Sequence, residues 1–279
     1  MKTGNNIKYL ATFIIFVINL TAFSFPKSIV KQPKVIIIQD EKPQVEVLAD
    51  FLRQKGNADV SIIEQKEMPE ALSAYDAVIA YIHKDLDEKV EQAIIEYTRN
   101  GGTFIALHHT ISSRKVKNKV FFDFLGIHLD NVEVSKNPVE PGGGYGWVHP
   151  IPLILINLNP IHSIVNQEIK WDTTIVYKSS DEPAIAKEYP AMIIEDSEVY
   201  LNHKFTDGRE KVVLLGVKFY DERNGKLFMQ DRGAWIKTSG KGQIIYFQPG
   251  HSAAEFQNQN FSQMILNAIL WKPLGSRIK

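Results

Sequence analysis

Gly101-Gly102-Thr103-Phe104-Ile105-Ala106-Leu107-His108-His109-Thr110 is the stretch whose reading decides the fold. The two glycines stop a segment spanning 86–100, in which Val90, Ala93, Ile94 and Tyr97 recur at helical spacing. Residues 103–107 then form a short apolar run of the kind found in strands buried on both faces. That strand delivers two imidazoles at its carboxyl end. Towards the amino terminus the same grammar repeats. Val35-Ile36-Ile37-Ile38 is a continuous β-branched run, and Val45, Leu48, Ala49 and Leu52 follow at helical spacing up to Lys55-Gly56. Residues 60–63 and 77–82 read as a second and third strand. Alternation at this spacing predicts parallel strands joined by right-handed crossovers.

Towards the carboxyl terminus the pattern changes. Residues 121–200 contain Gly142-Gly143-Gly144, a dense apolar stretch at 151–158 that starts with two prolines nearby, and a loop-like segment at Asp181-Glu182-Pro183. We read this region as an insertion of β-structure and long loops, which are often functional in compact domains. Regular structure resumes with a strand at 212–217, a tight turn at Gly240-Lys241-Gly242 and a strand at 244–247. Phe261, Ile265, Ala268 and Ile269 give a closing amphipathic helix that ends before Pro273.

The composition narrows the chemistry. The chain has 279 residues, 44% hydrophobic and 23% charged, which is enough apolar content for a packed core. Lys plus Arg and Asp plus Glu both number 32, so no net field favours nucleic acid or an anionic membrane. Cysteine is absent, which excludes disulfides, thiolate metal sites and a cysteine nucleophile. Reactive groups must therefore come from His, Asp, Glu, Ser or Tyr, or from a bound ion. Lys2 and Lys8 precede an apolar run at 9–20, and Ala22-Phe23-Ser24 follows with small residues at the minus-three and minus-one positions. Residues 1–24 thus read as a signal peptide, with one domain at 25–279 exported to a periplasmic or extracellular location. The apolar segment at 9–25 falls short of the roughly 20 residues of a spanning helix, so an uncleaved anchor is the alternative and the chain's one membrane contact.

Open parallel sheets bind ligands outside the carboxyl ends of their strands. Two predicted strands end in imidazoles: His108-His109 after the fourth, and His251 after Gln248-Pro249-Gly250. The insertion adds His149, after Gly144-Tyr145-Gly146-Trp147, and His162 in Pro160-Ile161-His162-Ser163. Imidazole exchanges protons near neutrality and ligates metals when neutral. A single histidine at a strand end is more often structural, and His83 and His128 are read that way; His109, next to His108, is free to point elsewhere. The three glycines at 142–144 read as a turn, since no Gly-Lys-Ser/Thr and no Gly-x-Gly-x-x-Gly accompanies them. Neither Gly-x-Ser-x-Gly nor His-Glu-x-x-His is present, which removes the common serine-hydrolase and zinc-protease signatures. Tyr145, Trp147 and Trp235 are either sugar-stacking or core aromatics.

The ordered set Gly101-Gly102-Thr103-Phe104-Ile105-Ala106-Leu107-His108, His149, Glu198-Val199-Tyr200, Trp235, Gly240-Lys241-Gly242-Gln243-Ile244-Ile245-Tyr246, Gly250-His251 and Ile269-Leu270-Trp271 resembles the ThuA-like (trehalose utilisation) family across 34–272. The resemblance implies an α/β fold, a flavodoxin-like, class I glutamine amidotransferase-like sandwich with a mostly parallel sheet and a β/loop insertion. It places His108 where an amidotransferase carries its cysteine, and His251 near the catalytic histidine. Amidotransfer through a thioester is excluded for want of the thiolate. Ser197-Glu198-Val199-Tyr200 stands where the family usually shows Asp-Glu-Leu-Tyr. His149-Pro150-Ile151 gives the family's His-Pro-Ile literally, but motif order is kept if His162-Ser163-Ile164 takes that place and His149 the preceding aromatic motif; the long interval from His162 to Glu198 then suggests an insertion near Asp181.

The function implied is processing of a small-molecule carbohydrate, a disaccharide or keto-sugar, by hydrolase or lyase chemistry. His108, His251 and Glu198 are the expected catalytic residues. His109, Tyr145, Trp147, His149, His162, Tyr200 and Trp235 are expected to bind substrate. His108, His149 and His251 would suit a divalent metal such as zinc with an open position. The alternative is a non-catalytic sugar-binding protein that stacks its ligand on Tyr145, Trp147, Tyr200 and Trp235. A purely structural domain would instead leave His108, His149 and His251 far apart.

Overall fold

The computed structural model describes residues 31–130, 132, 140–179 and 185–273. The leader read at 1–24 and the segment around Asp181 lie outside them. Among the described residues no helix is long and apolar enough to cross a membrane.

Strand β1 (Lys34–Gln39) sends alternate residues to two cores. Val35 and Ile37 pack in a core with residues of helices α1 (Lys42–Gly56), α5 (Ala253–Gln257) and α6 (Gln259–Leu270). Ile36 and Ile38 pack in the other, with residues of α2 (Glu88–Arg99) and α3 (Lys119–Leu125). Because both faces are covered, the strand is apolar throughout instead of alternating. Around it, β2 (Asp59–Glu64), β1, β3 (Ala77–Tyr81), β4 (Thr103–Leu107) and β12 (Gly242–Phe247) lie side by side in that order, all parallel. This is the flavodoxin-like order 2-1-3-4-5, with its switch point between β1 and β3.

Beyond β12 the sheet continues in antiparallel fashion through β11 (Lys226–Ser239), β10 (Lys211–Asp221), β6 (Gly146–Asn157), β8 (Lys187–Leu201) and β7 (Thr173–Tyr177). A separate pair, β5 (Ile127–His128) and β9 (Lys204–Phe205), closes one side, and α4 (Ser163–Asn166) packs on α6. The region read as an insertion therefore supplies β6, β7 and β8 to the main sheet. Its ladder is irregular between Val148 and Leu153, where Pro150 and Pro152 cannot donate.

Strand β11 was not foreseen, because Gln230-Asp231-Arg232-Gly233 breaks its apolar pattern. In the fold the break is satisfied: Gln230 Nε2 donates to the Tyr200 carbonyl at 2.9 Å, and Tyr177 Oη donates to Asp231 at 2.6 Å. Hydrogen-bonded polar groups can stay in a strand that hydropathy alone rejects.

Candidate functional site

Four parallel strands end at one place. β4 runs into a short 3-10 turn, His108–Ile111, and His108 takes a left-handed backbone with φ +39°. A non-glycine residue rarely adopts this conformation, and it costs on the order of 1–2 kcal/mol per residue. His108 and His109 are buried, and their rings meet edge to face with centroids 4.3 Å apart. From β12, the Gly250-His251 turn brings His251 to 5.4 Å from the His108 ring. The third contributor is Glu198, near the end of β8. Gln248 Nε2 donates to its carbonyl at 3.4 Å, fixing it across the β12 exit.

The side chains converge on one carboxylate oxygen. Glu198 Oε2 lies 3.0 Å from His108 Nε2, 3.4 Å from His251 Nδ1 and 3.7 Å from His109 Nε2. Burial alone would raise the Glu198 carboxyl, but the hydrogen bonds and charges of His108 and His251 outweigh it and hold it well below the usual carboxylate range. Burial likewise pulls His251 down, and Glu198 reverses this to leave it above the ordinary imidazole value. His109 is pushed far down, first by burial and then by the neighbouring histidines, so its neutral form is strongly favoured. His108 Nδ1 lies 2.6 Å from the Gln248 carbonyl. A carbonyl only accepts, so Nδ1 carries the proton and Nε2 faces Glu198.

A supporting layer surrounds these groups. Glu41, just past β1, approaches His109 Nδ1 with Oε2 at 3.4 Å and bonds His83 Nδ1 with Oε1 at 3.1 Å. His83 leaves β3 and stacks on His109, rings 4.3 Å apart and 15° from parallel. Asp40 ties the two exits together by accepting from the His83 and Lys84 amides at 2.8 and 2.7 Å. Lys115 is wholly buried, and burial pushes its ammonium down to about 7. It donates to the His83 and His109 carbonyls at 2.8 and 2.9 Å and to Ser112 Oγ at 2.9 Å, fixing the turn that carries the imidazoles. Glu255 of α5 accepts from the Gly250 and His251 amides at 2.9 and 3.0 Å.

The remaining expected residues divide by location. His149 sits at the rim, its ring 4.3 Å from that of His251 and its Nε2 3.7 Å from Asp196, so it is beside the centre and not one of the groups facing Glu198 Oε2. Tyr200 packs against His108 with ring centroids 5.0 Å apart, and Tyr145 stacks behind Tyr200 at 6.1 Å. Tyr145 and Tyr200 are both buried, so they back the imidazoles without offering a face to a ligand. Trp147 is half-buried. Trp235 is sealed in the core against His203, Phe205 and Tyr246, which corrects its reading as a sugar-stacking residue. His162 is corrected as well: it caps α4 by accepting from the Ile164 amide at 3.3 Å and packs on Trp271, away from the other imidazoles.

Glu41, His83, Lys115, Gln248 and Glu255 were missed by sequence reasoning. For Glu41 and His83 a usable signal existed, because both directly follow predicted parallel strands, where ligand groups are placed by topology. Lys115 and Glu255 offered none, since their roles depend on which backbone atoms the fold brings to them.

Comparison with known proteins follows the same lines. The family profile described as ThuA, trehalose utilisation, matches residues 31–272. A ThuA-like protein from Bacteroides uniformis is similar in structure, with a TM-score of 0.56 and 19% identity over 88% of this chain and 94% of that one. A glutamine amidotransferase from Thermotoga maritima gives 0.43 and 10%, covering 86% of this chain and 95% of that one. A β-galactosidase from Bacillus circulans sp. alkalophilus gives 0.46 and 14%, covering 85% and 30%. No curated protein sequence matches. With the profile spanning nearly all of the described fold, and an α/β architecture shared with a ThuA-like structure, this chain belongs to the ThuA, or trehalose utilisation, family.

Proposed function

We propose that this chain is an exported enzyme that processes a disaccharide or keto-sugar by hydrolase or lyase chemistry at the carboxyl edge of its parallel strands. The observation that carries the reading is the meeting of three imidazoles on Glu198 Oε2, within 3.0 to 3.7 Å. The family's description supplies the carbohydrate class. Residues 1–24 supply the argument for export to a periplasmic or extracellular location.

Elimination from a keto-sugar needs one group to take the proton beside the carbonyl and another to give a proton to the departing oxygen. Hydrolysis needs the same pair with water as nucleophile. An ion that polarises the substrate oxygen can share the work. His108, Glu198 and His251 provide the reaction centre for either route. Substrate approaches from the rim, where the side chains of His251 and His149 are 26% and 35% exposed while His108 is sealed behind them. We favour an enzyme over a sugar-binding protein because Tyr145, Tyr200 and Trp235 are buried, leaving Trp147 alone of the four aromatics partly open to a sugar ring.

The test is incubation of the mature domain with trehalose, other glucosides and their 3-keto derivatives, with products separated by chromatography. Turnover that is lost in His108→Ala while sugar binding persists is the expected outcome. Binding without turnover across the whole panel would overturn it in favour of the binding protein.

A further inference from the structure

We propose that His108, His109, Glu198 and His251 hold a divalent transition-metal ion, with Glu41 as the outer partner that orients His109. As a catalytic ion it rests on the carbohydrate reading; as a binding site it rests on donor geometry.

The donor spacing fits a coordination shell. Bonds of about 2.0–2.1 Å from a tetrahedral ion to nitrogen and oxygen place neighbouring donors roughly 3.3–3.4 Å apart. Glu198 Oε2 stands 3.0, 3.4 and 3.7 Å from the three imidazole nitrogens, and the four donor atoms all lie within 4.8 Å of one another. Three of the six donor-to-donor distances thus fall near the edges of such a shell, and the donors come from three separate segments of the chain, those of His108-His109, Glu198 and His251.

Protons alone serve this arrangement poorly. The His108 Nδ1 proton is committed to the Gln248 carbonyl, so neutral His108 turns the lone pair of Nε2 towards a carboxylate oxygen 3.0 Å away. Two facing lone pairs repel. His251 Nδ1 comes no nearer to Glu198 Oε2 than 3.4 Å, and His109 Nδ1 no nearer to Glu41 Oε2 than 3.4 Å, and neither of these buried imidazole nitrogens nor the buried Glu41 Oε2 completes a well-aligned hydrogen bond. Three N–H groups aimed at one oxygen would exceed its accepting capacity, whereas one cation satisfies all four inward lone pairs together.

The outer layer has the form that metal-binding histidines need. A ligating imidazole turns its other nitrogen to a carbonyl or carboxylate, which fixes the tautomer. His108 does this with the Gln248 carbonyl, and His109 Nδ1 faces Glu41 Oε2 at 3.4 Å. Both rings thereby present Nε2 inwards.

Glu41, His83 and His109 form a second group of close donors. The ring geometry argues against an ion there. A bound ion lies near the plane of each imidazole that holds it, and the His83 and His109 planes are 15° from parallel with centroids 4.3 Å apart. No point lies near both planes at bonding distance from both Nδ1 atoms, so Glu41 and His83 belong to the outer layer. The proposed ligand set thus differs from the expected one, with His109 and Glu198 in place of His149. Three imidazoles and one carboxylate, without sulfur, select zinc, manganese, iron, cobalt or nickel over magnesium and calcium.

The test uses the full chain without a polyhistidine tag, stripped with EDTA and dialysed. Titration with Zn²⁺ is expected to give one equivalent per chain and a raised melting temperature, with Mg²⁺ giving neither. Reloading with Co²⁺ is expected to give visible absorption bands of low-coordinate cobalt bound through nitrogen and oxygen. Glu41→Gln should weaken Zn²⁺ binding about 10–100-fold, Glu198→Gln by more, and His162→Gln should leave it unchanged. Absence of both stoichiometric Zn²⁺ binding and the cobalt bands in folded wild-type protein would overturn the site, independently of any variant that fails to fold. One equivalent retained at wild-type affinity by a folded His108→Gln, Glu198→Gln double variant would overturn the ligand set. Undiminished sugar turnover by stripped protein would overturn the ion's catalytic role and leave the carbohydrate reading standing. Zn²⁺ binding with no sugar turned over would support the site while counting against that reading.

Discussion

His108 and His162 show how differently two histidines on one chain are used. The backbone of His108 sits at φ +39°, in a region that favours glycine, and its ring is locked between the Gln248 carbonyl and Glu198. Strain of this kind persists where surrounding contacts over-determine it, and it clusters at functional sites. His162 stays in extended backbone and caps α4. His162→Ala is therefore expected to cost about 0.5–2 kcal/mol of stability, the usual range for a lost cap, and to leave sugar turnover within twofold of wild type. Under the proposed function, His108→Ala is expected to abolish that turnover. Urea denaturation and initial rates measured on the same preparations check both; a turnover loss in His162→Ala comparable to that in His108→Ala would return His162 to the site. In the sequence, motif order assigns His162 and not His149 to the His-Pro-Ile position. What that order could not show is which way a side chain leaves a loop.

The strand exits concentrate the chemistry. β1 leads to Glu41, β3 to His83, β4 to His108 and His109, and β12 to His251, so parallel strands of one hand deliver their carboxyl ends to one edge. Helix α5 then fixes the last exit. Glu255 uses both carboxylate oxygens to accept the Gly250 and His251 amides, and Gly250 holds φ +120°, which a side chain rarely permits. Glu255→Gln would turn an amide NH₂ towards one of those N–H groups. We expect a cost of about 1–3 kcal/mol and a melting temperature lower by roughly 2–10 °C. Turnover should fall further than stability does at temperatures where the variant remains folded, because His251 loses its anchor. Scanning calorimetry with parallel rate measurements checks this, and unchanged values in both would show that the turn is held by other contacts. The parallel elements themselves were legible, because continuous apolar runs and helical spacing are local properties. β11 was not, because its buried Gln230 and Asp231 are made tolerable by partners distant in sequence.

Across the whole molecule, long-range ties join the two halves of the sheet to the helices. Lys237 of β11 is buried and reaches both Asp207 and, at 3.0 Å, the Gly126 carbonyl at the end of α3. Arg209 bonds Asp207 through Nε at 2.6 Å and donates to the Phe124 carbonyl at 2.7 Å. Burial raises the Asp207 carboxyl, but its bonds to Lys237 and Arg209 prevail and lower it. A carboxyl lowered on folding adds stability that is fully present above its unfolded value near 3.9 and is lost as pH falls through the folded value. Asp207→Asn should therefore be clearly less stable than wild type at pH 7, with the gap narrowing as pH falls below about 4. Urea midpoints across that range check the sign, and a gap that widens on acidification would refute it. The sequence by itself determined the alternating strands and helices, the absence of thiol chemistry and the family resemblance, because hydrophobic period, composition and motif order are written locally along the chain. The tertiary structure alone decided that His109 also faces the carboxylate of Glu198, which the resemblance already grouped with His108 and His251, that His149 stands at the rim, that Trp235 is core, and that Glu41 and Glu255 hold the groups around it. Those assignments depend on side-chain direction and on contacts between distant segments, such as that of Tyr81 with His251, 170 residues further on, which only the packed chain brings together.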